Sequence, residues 1–125
     1  MQSETLLKLV SDIKKQKAES QTIELKAAVK GCPTRLFDTL SSFSNQDEGG
    51  VIIFGIDEAD NYAIKGVYDA WDLQKKVGEQ CKQMEPSVRA LFTMCEIDGK
   101  TIVSAEIPGV DISDRPVFYK GVGRI

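Results

Sequence analysis

The chain contains no histidine, and its three cysteines, Cys32, Cys81 and Cys95, show no C-x-x-C spacing. The missing histidine excludes a zinc site built from cysteine and histidine, and it excludes acid–base catalysis by an imidazole. An odd number of unpaired cysteines does not suit a disulfide framework, so we expect a reducing compartment, the cytoplasm. The first residues contain no long apolar run, so we expect neither a signal peptide nor a membrane span there.

The sequence contains a moderate proportion of charged residues, with a small excess of acidic ones. With 125 residues, 42% of them hydrophobic and 28% charged, the chain has the size and composition of one folded domain. Its net charge is −3, whereas proteins that grip nucleic acid mainly through phosphate contacts are usually basic. The first 35 residues carry +3, residues 36–73 carry −7 and the rest carry +1. Any electropositive face should therefore be formed by basic residues of the first 35 positions and of the positions after 73. The alternative is that these basic residues are simply dispersed over the surface.

The hydrophobic spacing predicts nine elements in the order α-β-α-β-β-α-β-β-β. We expect a first helix capped by Ser3, a second with Pro33 in its first turn, and a third whose apolar face runs from Trp71 to Met84. The predicted strands cover residues 22–26, 51–56, 63–67, 88–97, 100–107 and 117–119. This mixture indicates an α+β fold in which helices pack on a mixed, mostly antiparallel sheet.

Two strand signals are especially informative. Residues 51–56 are apolar on both faces, which is typical of a central strand covered on both sides. Asp98 and Gly99 separate two long strands and predict a tight hairpin. The residues that we expect in the core are Ile23, Leu25, Phe43, Val51, Ile53, Phe54, Phe92, Ile102 and Val103.

Three segments, in this order and spacing, resemble one known family. They are ESQTIELK at residues 19–26, LSSFSN at 40–45 followed by GGVIIFGID at 49–57, and RPVFYKG at 115–121. Together they resemble the Schlafen AlbA-like DNA-binding domain, over roughly residues 18–125. The chain departs from the family pattern at Ser42 and Ser44, where alanines are usual, and in an extra acidic pair before the glycines.

The resemblance implies a single domain spanning residues 1–125, which we expect to be the N-terminal part of a longer protein. Family members usually continue into a further strand after the position of Ile125, so we expect that strand to be missing or supplied by a neighbour. Because a neighbouring copy could supply that strand, a homo-oligomer is one of the possibilities that the sequence leaves open. We expect no cofactor, because the chain has no G-x-x-x-x-G-K-[ST] motif and Gly49 and Gly50 fit a tight turn better than a phosphate cradle.

The resemblance also implies a function, for which three classes stay open. The first is a DNA-binding domain of a transcriptional regulator that binds DNA or RNA weakly. The second is a metal-dependent ribonuclease, because Glu19, Glu24 and Asp57 match the three acids of Schlafen ribonucleases, and convergent carboxylates can hold Mg²⁺ or Mn²⁺. The third is a protein-interaction or oligomerisation domain. The same acids also suit turns and a solvent-facing strand position, so we expect no catalysis by the isolated domain.

Six cations are candidates for phosphate contacts: Lys14, Lys15, Lys17, Lys26, Lys30 and Arg35. The first three also suit the C-terminal end of a helix, where cations interact favourably with the helix dipole. Asn45 is expected to act as a left-handed helix C-cap rather than as a functional group. Tyr62 and Trp71 could stack on bases, but their turn and helix context favours packing.

Overall fold

A computed structural model describes residues 1–17 and 22–123, with side chains up to residue 121. The helices are α1 (Ser3–Gln16), α2 (Phe37–Ser44), α3 (Ala70–Lys82) and the short α4 (Lys120–Gly123). The strands are β1 (Ile23–Lys26), β2 (Gly50–Phe54), β3 (Ile56–Asp57), β4 (Ala63–Ile64), β5 (Met84–Glu85), β6 (Leu91–Ile97), β7 (Lys100–Ile107) and β8 (Phe118–Tyr119). Among these helices, none is both long and apolar enough to cross a membrane.

The main sheet has four strands in the order β1-β2-β7-β6. Strand β1 pairs with β2 in parallel, whereas β2 with β7 and β7 with β6 are antiparallel. Two short antiparallel pairs, β3 with β4 and β5 with β8, lie beside it. The predicted α+β class with a mixed, mostly antiparallel sheet is therefore confirmed, and β2 occupies an interior position as expected.

Helices cover both faces of this sheet. Helix α1 packs through Leu6, Val10 and Ile13 on one face, against a cluster that includes Leu25 and Ile53. Helices α2 and α3 cover the other face, in a cluster that also contains residues of β2 and β7. Six of the nine predicted core residues are buried; the remaining three, Ile23, Val51 and Phe92, are partly exposed and pack at the margins of the clusters.

Glycines shape both ends of β2. At its start Gly49 has φ +66°, and a Cβ there would lie 2.2 Å from the carbonyl oxygen of Ile107, so the predicted tight turn is confirmed. At its end Gly55 has φ +111° and interrupts the strand. Ile56 then packs in the same cluster as Ile53 rather than with Phe54, so the two-residue alternation breaks at this glycine. The strand predicted at 51–56 is consequently divided into β2 and β3.

The β6–β7 hairpin is confirmed, with Asp98 at φ 52° and Gly99 at φ 75°, as its two-residue turn requires. Two predicted helix starts are wrong. Ser3 does not cap α1; it lies inside the helix, and its hydroxyl donates to the Met94 carbonyl at 2.8 Å. Pro33 lies before α2, which begins at Phe37.

The side chain of Gln80 explains the late start of α2. Its Oε1 accepts from the Leu36 amide at 2.7 Å, and its Nε2 donates to the Pro33 carbonyl at 2.8 Å. Gln80 is itself buried in α3. These two bonds satisfy the backbone of the segment before α2 in a non-helical form, so a contact 44 residues away overrides the local signal.

Candidate nucleic-acid interface

One end of the sheet collects elements that are distant in sequence. Because β7 runs antiparallel to β2, the β6–β7 turn lies where β1 and β2 end. Backbone bonds close this end: the Gly55 amide donates to the Lys26 carbonyl at 2.8 Å, and the Val67 amide donates to the Thr101 carbonyl at 2.9 Å. The Lys100 ammonium donates to the Ile64 carbonyl at 3.2 Å. We call this region the carboxyl end of the sheet.

The lysines of α1, which we call the α1 group, comprise Lys14, Lys15 and Lys17. Lys14 and Lys15 occupy the last turn of the helix, and Lys17 follows it with φ 48°. Lys14 and Lys15 line an open groove of about 450 Å³ together with Ile97 and Asp98 of the hairpin. Lys14 and Lys15 of the α1 group therefore reach the carboxyl end of the sheet, on the face covered by α1.

The other predicted cations lie along the connection from β1 to α2. Lys26 is paired with Glu24 at 3.5 Å. Lys30 and Arg35, which we call the loop group, are exposed. The Arg35 guanidinium carbon lies 5.6 Å from the ring centre of Phe37 and 6.0 Å from that of Tyr119. These two rings are stacked at 3.8 Å, so Arg35 sits over an aromatic pair that helps to orient its charge.

Within residues 1–17 and 22–123, only one of the six predicted cations, Lys26, has a carboxylate partner. The other five are exposed and form no ion pair with a described residue. They divide into two sets, because α1 covers one face of the sheet and α2 covers the other. The structure thus offers two basic segments, the α1 group and the loop group, rather than one continuous patch.

The two predicted catalytic acids that the structure describes, Glu24 and Asp57, have separate surroundings. Glu19 lies outside the described residues. Glu24 lies on edge strand β1, where its register partner is Ile52 of β2. Asp57 follows Ile52 by five residues along the chain. The Asp57 carboxylate accepts from the Ala59 amide at 3.0 Å and caps the turn at residues 58–60. Among the described residues, no three cysteine or carboxylate side chains are grouped closely enough to hold a metal ion.

Asn45 has a different role from the predicted one. Its φ is −89°, so the expected left-handed C-cap is wrong. Instead its side-chain Oδ1 accepts from the Val117 amide at 2.8 Å, and its Nδ2 donates to the Val117 carbonyl at 3.0 Å. The Ser41 hydroxyl donates to the same carbonyl at 2.8 Å. A salt bridge at 2.8 Å between Arg115 and Asp47 adds a second link, so the segments at 40–47 and 115–117 hold each other in place.

Of the two aromatic residues considered for base stacking, Tyr62 packs as predicted and Trp71 does not. Tyr62 is partly buried and packs in the cluster under α1, as predicted. Trp71, however, is 74% exposed, and its neighbour Tyr68 is 77% exposed. Trp71 precedes Leu73 by two residues, which is about 200° around the helix, so it points away from the buried stripe of α3. Strict use of the helical period would have identified Trp71 as an outward residue; nothing in the local sequence marked Tyr68.

Burial is the main influence on the pKa of each of the three cysteine thiols. It raises the pKa of Cys32 and of Cys95, and it raises the pKa of Cys81 to about 11. All three thiols are free, with Cys81 and Cys95 buried. At neutral pH they are therefore protonated, which suits packing and not nucleophilic chemistry.

Comparison with known proteins adds to this geometry. The family model described as "Schlafen, AlbA_2" matches residues 19–123. The N-terminal domain of an ATP-dependent DNA helicase RecG-related protein from Nitrosomonas europaea is similar in structure, with TM-score 0.79 and 25% identity over 98% of this chain and 84% of that one. The DIP2311 protein from Corynebacterium diphtheriae shares the fold, with TM-score 0.57 and 15% identity over 94% of this chain and 24% of that one. No curated protein matches the chain at a significant level.

Proposed function

The chain belongs to the Schlafen, AlbA_2 family, and we propose that it is a nucleic-acid-binding domain of a cytoplasmic transcriptional regulator. The observation that carries the proposal is the set of five exposed cations that lack a carboxylate partner among the described residues. The helicase-related name of the N. europaea protein also supports a role on nucleic acid. Three free cysteines are consistent with a reducing compartment.

The charges favour weak, salt-sensitive binding. Each cation that contacts a phosphate releases condensed counterions, and this release supplies much of the binding free energy. The net charge of −3 opposes such contacts over the rest of the surface. A few contacts from the α1 group or the loop group therefore imply an affinity that falls about tenfold or more over a fourfold rise in salt.

Three double variants, each removing two charges, test this proposal. Lys14→Gln/Lys15→Gln removes most of the α1 group, and Lys30→Gln/Arg35→Gln removes the loop group. The matched control changes Lys8 and Lys82 to Gln; both are exposed and neither is a candidate contact. Labelled DNA and RNA are titrated at several salt concentrations, and circular dichroism confirms that each variant is folded.

We expect at least one site variant to weaken binding and to reduce the slope of log K against log salt by about 1 to 2, the value for two lost phosphate contacts. The control should leave both quantities unchanged. Equal weakening by all three variants would contradict the assignment of these residues. If the wild type fails to bind DNA or RNA even at low salt, the nucleic-acid proposal is wrong and a protein-interaction domain becomes the better account.

For the acids, we propose that the isolated domain does not cleave RNA. Two of the three carboxylates already have local partners: Glu24 pairs with Lys26, and Asp57 caps its own turn. Incubation with labelled RNA and Mn²⁺ should leave the RNA intact. Metal-dependent cleavage that Glu24→Ala abolishes without unfolding the domain would instead make the ribonuclease the leading function.

A further inference from the structure

Two large aromatic side chains project from the surface without a packing role. Tyr68 is 77% exposed and Trp71 is 74% exposed. Close by, Val29 is 43% exposed. Leaving such rings in water forgoes the stabilisation that burial would give, so a cluster of them on a small domain is a candidate binding surface. We call Val29, Tyr68 and Trp71 the aromatic patch.

The backbone places the aromatic patch beside the loop that carries Lys30. The Tyr68 amide donates to the Ala28 carbonyl at 3.3 Å, so the residues after β1 run alongside the residues before α3. Trp71 lies in the first turn of α3. Lys75 follows four residues later and therefore projects from the same side of the helix.

The acidic residues around the aromatic patch have interaction partners, whereas two of the basic residues there have none among the described residues. Asp69 caps α3 by accepting from the amides of Trp71 and Asp72 at 3.1 and 3.0 Å. Asp72 pairs with Lys76 at 3.1 Å. Lys30 and Lys75, by contrast, are exposed and have no ion pair with any described residue. Asp69 and Asp72 keep their negative charge, but their carboxylates are engaged by the helix cap and by Lys76, whereas the ammonium groups of Lys30 and Lys75 have no described partner.

We propose that the aromatic patch stacks unpaired bases of single-stranded nucleic acid, while Lys30 and Lys75 contact the adjoining phosphates. This inference rests on the proposed function and names its substrate class. Aromatic rings next to cations are the usual means of holding single strands, since every base has a face that can stack. In a duplex the bases already stack on one another and cannot reach Tyr68 or Trp71.

The chain itself supplies the probe, because Trp71 is its only tryptophan. A short, fluorescein-labelled oligothymidylate and a duplex of equal length are titrated separately. The anisotropy of the label reports binding, and the tryptophan emission reports contact at Trp71. We expect the single strand to quench Trp71 in parallel with binding, and we expect the duplex to bind with little quenching.

Substitutions sharpen the test. Trp71→Ala should weaken binding of the single strand by roughly 5- to 150-fold, the range expected for loss of one stacked base, while Trp71→Phe should retain most of the affinity. The matched control is Ile112→Ala, which removes an apolar side chain that is 72% exposed. Its segment contacts the other end of the sheet, where the Val110 amide donates to the Ser44 carbonyl, and it should bind like wild type.

The outcomes separate this inference from the proposed function. Binding of the single strand without quenching, and unchanged in Trp71→Ala, would overturn the stacking inference and leave the nucleic-acid function standing. A change of Trp71 emission with protein concentration alone would assign the aromatic patch to a second copy of the chain and also overturn it. Absence of any binding would refute both.

Discussion

Replacing Asn45 with alanine should destabilise the fold although this residue lies next to a surface loop. The substitution removes both hydrogen bonds between the Asn45 side chain and the backbone of Val117, whose side chain is only 1% exposed. The Val117 carbonyl keeps its bond from Ser41, but the amide loses its partner. The bond lost by the carbonyl costs about 0.5–1.5 kcal/mol and the amide left without a partner costs about 1–3 kcal/mol, so the total loss is roughly 2–4 kcal/mol.

Urea denaturation followed by circular dichroism measures this loss, and for a domain of this size it corresponds to a fall in Tm of roughly 10 °C. The matched control is Gln46→Ala, which removes the exposed bond from the neighbouring side chain to Ser42 and should cost less than about 0.5 kcal/mol. A loss below about 0.5 kcal/mol for Asn45→Ala would refute the conclusion that this amide fastens the segment around Val117 to α2.

Two further predictions concern packing at glycines and the reactivity of the thiols. Gly50→Ala would place a Cβ 2.3 Å from the buried ring of Phe43, so it should lower the free energy of unfolding by roughly 1–3 kcal/mol. Gly78→Ala in α3 meets no atom within 4 Å and should raise that free energy by roughly 0.5–1 kcal/mol. Thermal or urea unfolding measures both changes, and the opposite order would contradict the packing at β2. In a thiol titration of the folded protein, partly exposed Cys32 should react first, and buried Cys81, with its pKa raised to about 11, should react only slowly; all three cysteines should react in denaturant.

Local chemistry explains which parts of the fold could be predicted. The hairpin at Asp98 and Gly99 depends on backbone conformations that these two residue types adopt readily, and the interior strand shows itself by being apolar on both faces. The start of α2 was not predictable in this way, because Gln80 holds the preceding segment from another helix. The break after β2 similarly depends on Gly55, whose space is limited by the β7 residue Ile102.

The candidate interface was predictable in its residues but not in its arrangement. The sequence identified the cations and not the fact that Lys26 is paired with Glu24. It also could not indicate that α1 and α2 lie on opposite faces, which divides the remaining cations into two groups. Contacts between residues remote in sequence decide both points. Trp71 is different, since its outward direction follows from the helical period alone.

The most direct test of the central claim is a nuclear magnetic resonance titration of the isotopically labelled domain with single-stranded DNA at low salt. We predict that the amide signals of the loop group and of residues 27–31 and 68–75 shift progressively, with further shifts in the α1 group if both basic segments bind. These shifts should reverse when the salt concentration rises fourfold. An absence of shifts, or shifts confined to residues 109–117 at the opposite end of the sheet, would contradict the assignment of a nucleic-acid interface to these residues.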